Sequence, residues 1–349
     1  MLSFVRIFMN FLFILLVVML TSGCLPRTSS EPISKTDTIE EKPIKLYKVA
    51  FISKSSSNPI FVPALKGAED SAKLLSKKYD ISIQIEDLSP TNEEPQMQAK
   101  NIVNAVNSGV NAIMISCSDS DLLTPAINEA VSRGVQVMTF DSDAPNSKRF
   151  AFYGLNDTRA GMLLLNELAM QIGKKGDIAI LAGNQSAPNL KKRVEGVKIE
   201  KEKYPELNIV GIFYHIETPK DAAEALLKAQ DENPNIIGWA LIGGWPLFEE
   251  NLLNDINPEK VTIVSIDALP AQFSYVKKGI TPVLLAQPTY KWGYVSMEKI
   301  IKKIHLNEEV EEINEMELVR VDKSNLELWA RQLNEWGYKD IPQEYLEIK

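Results

Sequence analysis

The stretch Val137–Gly161, VMTFDSDAPNSKRFAFYGLNDTRAG, decides the fold that this sequence predicts. An apolar strand ends at Phe140 and is followed at once by the acidic run DSD, which begins at Asp141. A second apolar run, Phe150–Tyr153, leads into a helical pattern, so one α/β unit closes where another opens. In open parallel sheets, ligands bind beyond the carboxyl ends of the strands. A carboxylate there can accept paired hydrogen bonds from neighbouring hydroxyl groups, although the same acidic run also fits a plain turn.

The composition is that of a globular protein of two ordinary domains. The chain has 349 residues, of which 45% are hydrophobic and 24% are charged. A net charge of −8 and the absence of a long basic block argue against a nucleic-acid partner. The two cysteines, Cys24 and Cys117, have neither CxxC nor metal-type spacing, and Cys117 lies in an apolar run that favours a buried hydrophobic role.

The N-terminus has the pattern of an export signal. A basic Arg6 precedes the apolar run Phe8–Leu20, and the sequence TSGC then ends at Cys24. This resembles a bacterial lipoprotein signal, which implies a signal peptide over residues 1–23, lipidation of Cys24 and a membrane-anchored location outside the cytoplasm. An uncleaved anchor stays open, although the run is short for a spanning helix of about 20 residues. Residues 24–45 are polar and predict a flexible tether.

The rest of the chain alternates between strand and helix patterns in two similar halves. Residues 46–152 read as βαβαβαβ, and residues 153–287 repeat the scheme with strands that end before Gly183, Gly243 and Asp267. This order predicts parallel sheets with helices on both faces, in two domains that face each other. A final strand, Glu317–Val321, precedes an aromatic tail that we expect to pack on the second domain.

These elements, with several short motifs, resemble type I solute-binding proteins of bacterial sugar ABC transporters, of the ribose- and galactose-binding kind. The resemblance covers roughly residues 46–323 and rests on Asn58-Pro59 with Phe61, on Asp141, on the segment Asn189–Arg193 with Gly196, on Asp267 within VSIDALP, and on Gln287. It implies an α/β fold of two Rossmann-like lobes, joined by a three-strand hinge, with a ligand cleft between them. The implied lobes are residues 46–152 plus 288–320, and residues 153–287 plus 321–349.

The resemblance also implies a ligand site and a function. The implied ligand-binding residues are Asn58, Phe61, Asp141, Asn189, Arg193, Trp245, Asp267, Gln287 and Trp292. Planar polar groups match sugar hydroxyls, and aromatic rings cover the C–H faces of the sugar. The implied protein is a monomer without a cofactor, which captures a monosaccharide or similar polyol and delivers it to an ABC permease by hinge closure.

Other interpretations of some residues stay open. Phe61 and Trp292 also fit helix packing, and Arg193 also fits a solvated helix charge. The chain has Ser142 where the family often has an arginine, and it has Gly244-Trp245 where many members have Asn-Asp. The ligand therefore need not be ribose.

The sequence lacks the motifs that competing functions require. His215 and His305 are the only histidines, and no GxSxG, HExxH or P-loop motif is present, so neither catalysis nor a cofactor is expected. The DSD run is followed by Asn146 and Phe152 where a calcium loop needs Gly and Glu, so no metal is expected. A sensory lipoprotein that presents its ligand to a membrane receptor stays open, because the same lobes serve both uses. A transcriptional repressor is disfavoured, since a signal stands in place of DNA-binding helices.

Overall fold

The computed structural model describes residues 44–347. The predicted signal peptide, the predicted lipidation site at Cys24 and nearly all of the predicted tether lie outside the described residues. The first described strand begins at Lys45, the last residue assigned to the tether. Between residues 44 and 347, no helix combines the length and the hydropathy that crossing a membrane requires.

Two six-stranded sheets organise the described chain, and their strand orders correspond position by position. The first sheet contains β1 (Lys45–Ile52), β2 (Ile81–Asp87), β3 (Ala112–Ile115), β4 (Gln136–Phe140), β5 (Ala151–Leu155) and β11 (Ile313–Met316), in the spatial order β11-β5-β4-β3-β1-β2. The second contains β6 (Gly176–Ala182), β7 (Leu207–Tyr214), β8 (Ile236–Leu241), β9 (Thr262–Ile266), β10 (Val283–Ala286) and β12 (Val319–Val321), in the order β12-β10-β9-β8-β6-β7.

Helices connect the strands and cover the sheets. The described helices are α1 (Val62–Tyr79), α2 (Pro95–Asn107), α3 (Ser120–Ser132), α4 (Asp157–Ile172), α5 (Pro188–Lys201), α6 (Pro219–Glu232), α7 (Phe273–Lys278), α8 (Tyr290–Ile304) and α9 (Leu326–Glu335). All strand pairs are parallel except that of β10 with β12. Strands such as β3 and β10 are buried along their whole length, because helices leave neither face of a parallel sheet exposed. The predicted fold class of two Rossmann-like lobes is confirmed.

The chain passes between the two sheets three times, near the three predicted crossings. β5 lies in the first sheet up to Leu155, and β12 lies in the second sheet from Val319. Each of these crossings therefore falls a few residues away from the predicted limits at 152 and 320. The exact limits of the lobes remain a prediction. The bounds of the strands suggest a shift of these limits by a few residues. Strand β11 was not predicted, because its alternating exposed residues do not form an apolar run.

The helices cross closely in both lobes because glycines lie at the contact points. In the first lobe α8 lies on α1, and a Cβ on Gly293 would come within 1.8 Å of the carbonyl oxygen of Ala64. In the second lobe α4 lies on α5, and a Cβ on Gly161 would come within 1.9 Å of the carbonyl oxygen of Arg193. Only a residue without a side chain allows backbones to approach this closely.

The aromatic tail contacts both lobes and not the second alone. On the second lobe, the indole N–H of Trp329 in α9 donates to the carbonyl oxygen of Ala268 at 2.8 Å. Toward the first lobe, the ring of Trp336 stacks on Tyr290 at the start of α8, with ring centres 5.5 Å apart and an interplanar angle of 4°. The tail therefore links the lobes beside the second crossing.

We expect Gly293→Ala to lower the stability of the first lobe. The added methyl group must separate α8 from α1, and overpacking of this kind costs about 1–3 kcal/mol. Thermal or urea unfolding measures the loss. Lys291→Ala, an exposed position of the same helix, is the matched control and should have almost no effect. Equal stability of Gly293→Ala and the control would show that the crossing is not tight.

Candidate functional site

Two buried aspartates occupy equivalent places in the two lobes. Asp141 follows β4 and Asp267 follows β9, and these strands have the same position in their sheets. Each aspartate is 5% exposed and has a left-handed backbone, with φ values of 58° and 76°. Asp is one of the few non-glycine residues that adopt this conformation readily. Each turn therefore directs a carboxylate out of the end of its sheet.

A hydrogen-bonded network surrounds the second-lobe aspartate. Asp267 accepts from the backbone N–H of Gly244 at 3.0 Å and from the amide of Gln287 at 2.6 Å. The guanidinium of Arg193 donates in turn to Gln287 at 3.2 Å and to Asp157 at 2.8 Å. Arg193 is 3% exposed, so it is not a solvated helix charge. This chain of planar groups presents several polar atoms in one region.

Polar contacts from both lobes meet at the first-lobe aspartate. Asp141 accepts from the hydroxyl of Ser116 at 2.6 Å and from the side-chain amide of Asn189 at 3.4 Å. Asn189 belongs to the second lobe, and its carbonyl oxygen accepts from the ammonium of Lys54 in the first lobe at 3.2 Å. The ammonium also lies 3.9 Å from the Asp141 carboxylate. The two lobes are thus already in contact through polar side chains.

Aromatic rings form the apolar side of the same region. Phe61 lies at 5.8 Å from Trp292 and at 6.4 Å from Phe140 between ring centres. Phe61 and Trp292 are 5% and 1% exposed, so both belong to the core of their lobe as well as to the site. The buried indole N–H of Trp292 has no hydrogen-bond partner within residues 44–347. It is a donor that a ligand hydroxyl would satisfy.

All of the sequence-predicted site residues line one cavity between the lobes. These residues are Asn58, Phe61, Asp141, Asn189, Arg193, Trp245, Asp267, Gln287 and Trp292. The cavity has a volume of about 40 Å³, far below the range of small-molecule pockets. A ligand must therefore part the lobes or replace the hydrogen bonds between these side chains.

Sequence reasoning missed two charged residues that line the cavity, Lys54 and Glu217. Lys54 is 5% exposed although it follows β1 in a polar loop. Burial opposes its charge, but nearby carboxyl groups, above all Asp141, outweigh burial and raise the pKa of Lys54. The only sequence signal was that Lys54 follows an apolar strand, as Asp141 and Asp267 do.

A pair of carboxyl groups faces across the cleft at Glu217. The backbone N–H of Asn184 donates to Glu217 at 2.8 Å, and the side chain of Asn184 donates to Glu93 of the other lobe at 3.1 Å. Burial, followed by the neighbouring carboxyl group of Glu93, raises the pKa of Glu217 from 4.5 to about 8. Repulsion from a neighbouring carboxyl group disfavours the charged form and so favours the protonated form of Glu217.

Burial raises the pKa of two more carboxyl groups in this network. It raises the pKa of Asp157 from 3.8 to about 6, although the Arg193 guanidinium opposes the shift. It also raises the pKa of Asp267, again against Arg193. Strongly perturbed carboxyl groups that lie in a cleft are typical of functional sites.

Possible metal ligands, a thiol and a partly buried histidine are the other reactive groups among the described residues. Between residues 44 and 347, no three His, Cys, Asp or Glu side chains lie together in a way that would hold a metal ion. Cys117 is fully buried, and burial raises the pKa of its thiol. His215 lies far along the chain from His305, and burial lowers the pKa of His215.

The chain is similar to a known family and to several known proteins. The family model described as the periplasmic binding protein domain matches residues 49–306. The ribose import binding protein of Bacillus subtilis is 26% identical over 152 residues, which are 44% of this chain and 48% of that protein. The xylose/arabinose-binding protein of Sulfolobus acidocaldarius is 20% identical over 71% of this chain and 64% of that protein. The chain thus spans about half to two thirds of the length of these curated relatives.

Solved structures share the fold over nearly their whole length. A solute-binding protein of an ABC transporter from Burkholderia graminis, in complex with D-arabinose, has a TM-score of 0.76 at 23% identity. The match covers 81% of this chain and 98% of the Burkholderia graminis chain. A structure described as the XylFII–LytSN complex has a TM-score of 0.72 at 26% identity, and it covers 81% of this chain and 99% of its own.

The raised pKa of Glu217 makes stability depend on pH. The folded protein holds a proton that the unfolded chain releases, so stability falls as pH rises from 4.5 to about 8. Glu217→Gln removes this loss. Its melting temperature should therefore fall less than that of the wild type between about pH 6.5 and about pH 9, above the Asp157 pKa of about 6.

The matched control is Glu224→Gln, an exposed position of α6. This variant should keep the pH dependence of the wild type. The same slope in Glu217→Gln as in the wild type would contradict a protonated Glu217 in the cleft.

Proposed function

The chain belongs to the periplasmic binding protein family, and from that premise we propose that it captures a monosaccharide or similar polyol between its lobes. The observation that carries the proposal is the cavity where buried Asp141 and Asp267 of the two lobes meet aromatic rings. The sugars in the names of the relatives are consistent with it.

The side chains of the cavity match the chemistry of a sugar ring. Carboxylates accept from vicinal hydroxyls, whereas the amides and Arg193 offer both donors and acceptors in fixed planes. The rings of Phe61, Trp245 and Trp292 cover C–H faces and exclude water. Each hydrogen bond that now joins two side chains would be exchanged for one to a ligand hydroxyl, so binding costs little in unpaired polar groups.

Closure of the lobes on the ligand would convert binding into a signal for transport. The hydrogen bond between Lys54 and Asn189 joins the lobes and can exist only when they are close. A ligand that contacts both lobes favours this closed state and shifts the population toward it. In this proposal an ABC permease recognises the closed lobes and receives the sugar, and the protein works outside the cytoplasm as a monomer.

A sensory role is the second candidate. The observation that favours it is the fold that this chain shares, at 26% identity, with the XylFII–LytSN complex, in which such a protein is assembled with a second one. The neighbouring genes discriminate the two uses. Genes for a permease and an ATPase beside this one favour transport, whereas a gene for a histidine kinase favours sensing.

Thermal unfolding of residues 26–349 against a panel of pentoses, hexoses, inositol and nucleosides tests the proposal. A ligand at one hundred times its dissociation constant stabilises by about 2.7 kcal/mol, a rise of several degrees. We expect one or two related sugars to produce it. Asp267→Ala should abolish the shift, since the variant loses a carboxylate with two hydrogen bonds in the cavity.

Asp255→Ala, an exposed position of the same lobe, is the control and should keep the full shift. Circular dichroism checks that Asp267→Ala remains folded. If the folded Asp267→Ala variant binds as the wild type does, the assignment of Asp267 is wrong. If no panel member shifts the wild type, capture of a monosaccharide or similar polyol is wrong.

We also propose that lipidation of Cys24 anchors the protein to a membrane. Cys24→Ser should then move the protein from the membrane fraction to the soluble fraction and abolish labelling by a fatty-acid analogue. Cys117→Ala removes the other cysteine, which is buried, and should change neither result. Labelling that persists in Cys24→Ser would contradict the anchor.

A further inference from the structure

A second and much larger space adjoins the site cavity. We call the cavity of about 40 Å³ the inner compartment and the adjoining cavity of about 560 Å³ the outer compartment. The two share four lining residues, which are Asn58, Glu217, Trp245 and Phe248. The outer volume lies within the range of small-molecule sites. A ligand held at the inner compartment would therefore have room to extend outward.

The outer compartment persists although the lobes already touch. Two hydrogen bonds join the lobes next to these compartments: Lys54, which lines the inner one, donates to Asn189 at 3.2 Å, and Asn184 donates to Glu93, which lines the outer one, at 3.1 Å. Side chains in such contact leave the lobes little further travel. The outer space is consequently a feature of the closed lobes and not only of an open cleft.

The lining of the outer compartment has the chemistry of a carbohydrate subsite. Trp245 and Phe248 offer flat apolar surfaces, and Trp245 is held by an edge-on contact with His215 at 5.1 Å between ring centres. Glu93 and Glu217 place carboxyl oxygens on the same space, where they can accept from hydroxyl groups. No Lys or Arg belongs to the described residues that line it, so the lining does not suit a phosphate or another anion.

The geometry points to a second sugar subsite in the outer compartment, so that the preferred ligand is a disaccharide and not a single ring. One ring replaces the side-chain hydrogen bonds of the inner compartment, and the second lies against Trp245 and Phe248. This inference rests on the proposed function, capture of a sugar between the lobes, and extends its substrate from one ring to two.

Calorimetric titration with matched sugar pairs tests the inference. The probes are D-xylose with xylobiose, L-arabinose with arabinobiose, and D-glucose with cellobiose. We expect at least one disaccharide to bind at least about tenfold more tightly than its component sugar, the gain of one stacked ring with one charge-assisted hydrogen bond. Monosaccharides that bind as tightly as their disaccharides would overturn the subsite and leave the proposed function intact. Absence of binding by both lengths would overturn both.

A pair of adjacent glutamates supplies the matched variants. Glu93 lines only the outer compartment, whereas the exposed Glu94 lines neither. Glu93→Gln keeps a side-chain oxygen that accepts from Asn184, so it should leave monosaccharide affinity within about twofold, whereas loss of the charge should weaken disaccharide binding about tenfold. Glu94→Gln should change neither affinity. An equal loss for both ligand lengths in Glu93→Gln would show that Glu93 acts through lobe contact, and it would overturn the subsite.

Discussion

The burial of two carboxylates, Asp141 and Asp267, is the constraint on which the rest of the structure depends. A buried carboxylate is costly unless several donors surround it. Neither turn supplies enough donors by itself. Asp141 therefore accepts a hydrogen bond from Asn189 of the other lobe. Asp267 accepts one from Gln287, which itself accepts one from Arg193. The network around Asp267 thus lies within the second lobe, whereas the contacts of Asp141 are complete only when the two lobes are close.

The two lobes meet this constraint by the same architecture. Equivalent strands of two sheets with the same order end at the two aspartates. Equivalent helix crossings rely on glycines, and in the second lobe the crossing also serves the site. Gly161 lets α4 approach α5 at Arg193, and this approach brings the guanidinium within 2.8 Å of Asp157. In this lobe the geometry of the site therefore depends on the packing of the two helices.

Much of the fold and of the candidate site was readable from local sequence. Strands that are buried on both faces appear as continuous apolar runs. The polar residues that follow them, such as Asp267 and Gln287, must lie at the carboxyl ends of the strands. What local sequence did not reveal were elements without an apolar run. Strand β11 alternates in burial, and Lys54 looks like an ordinary loop cation. The partners that make the burial of Lys54 possible, Asn189 and Asp141, lie far from it along the chain.

The sequence by itself determined the order of the elements, the ends of the strands and the residue types that face the cleft. These properties follow from periodicity and from neighbours along the chain. Only the tertiary structure decided which polar groups meet across the lobes, that the tail touches both, and that Asn184 hydrogen-bonds to both Glu93 and Glu217. It alone defined the outer compartment. Such contacts join residues that are far apart in sequence, so they depend on how whole sheets and helices pack and not on any local pattern.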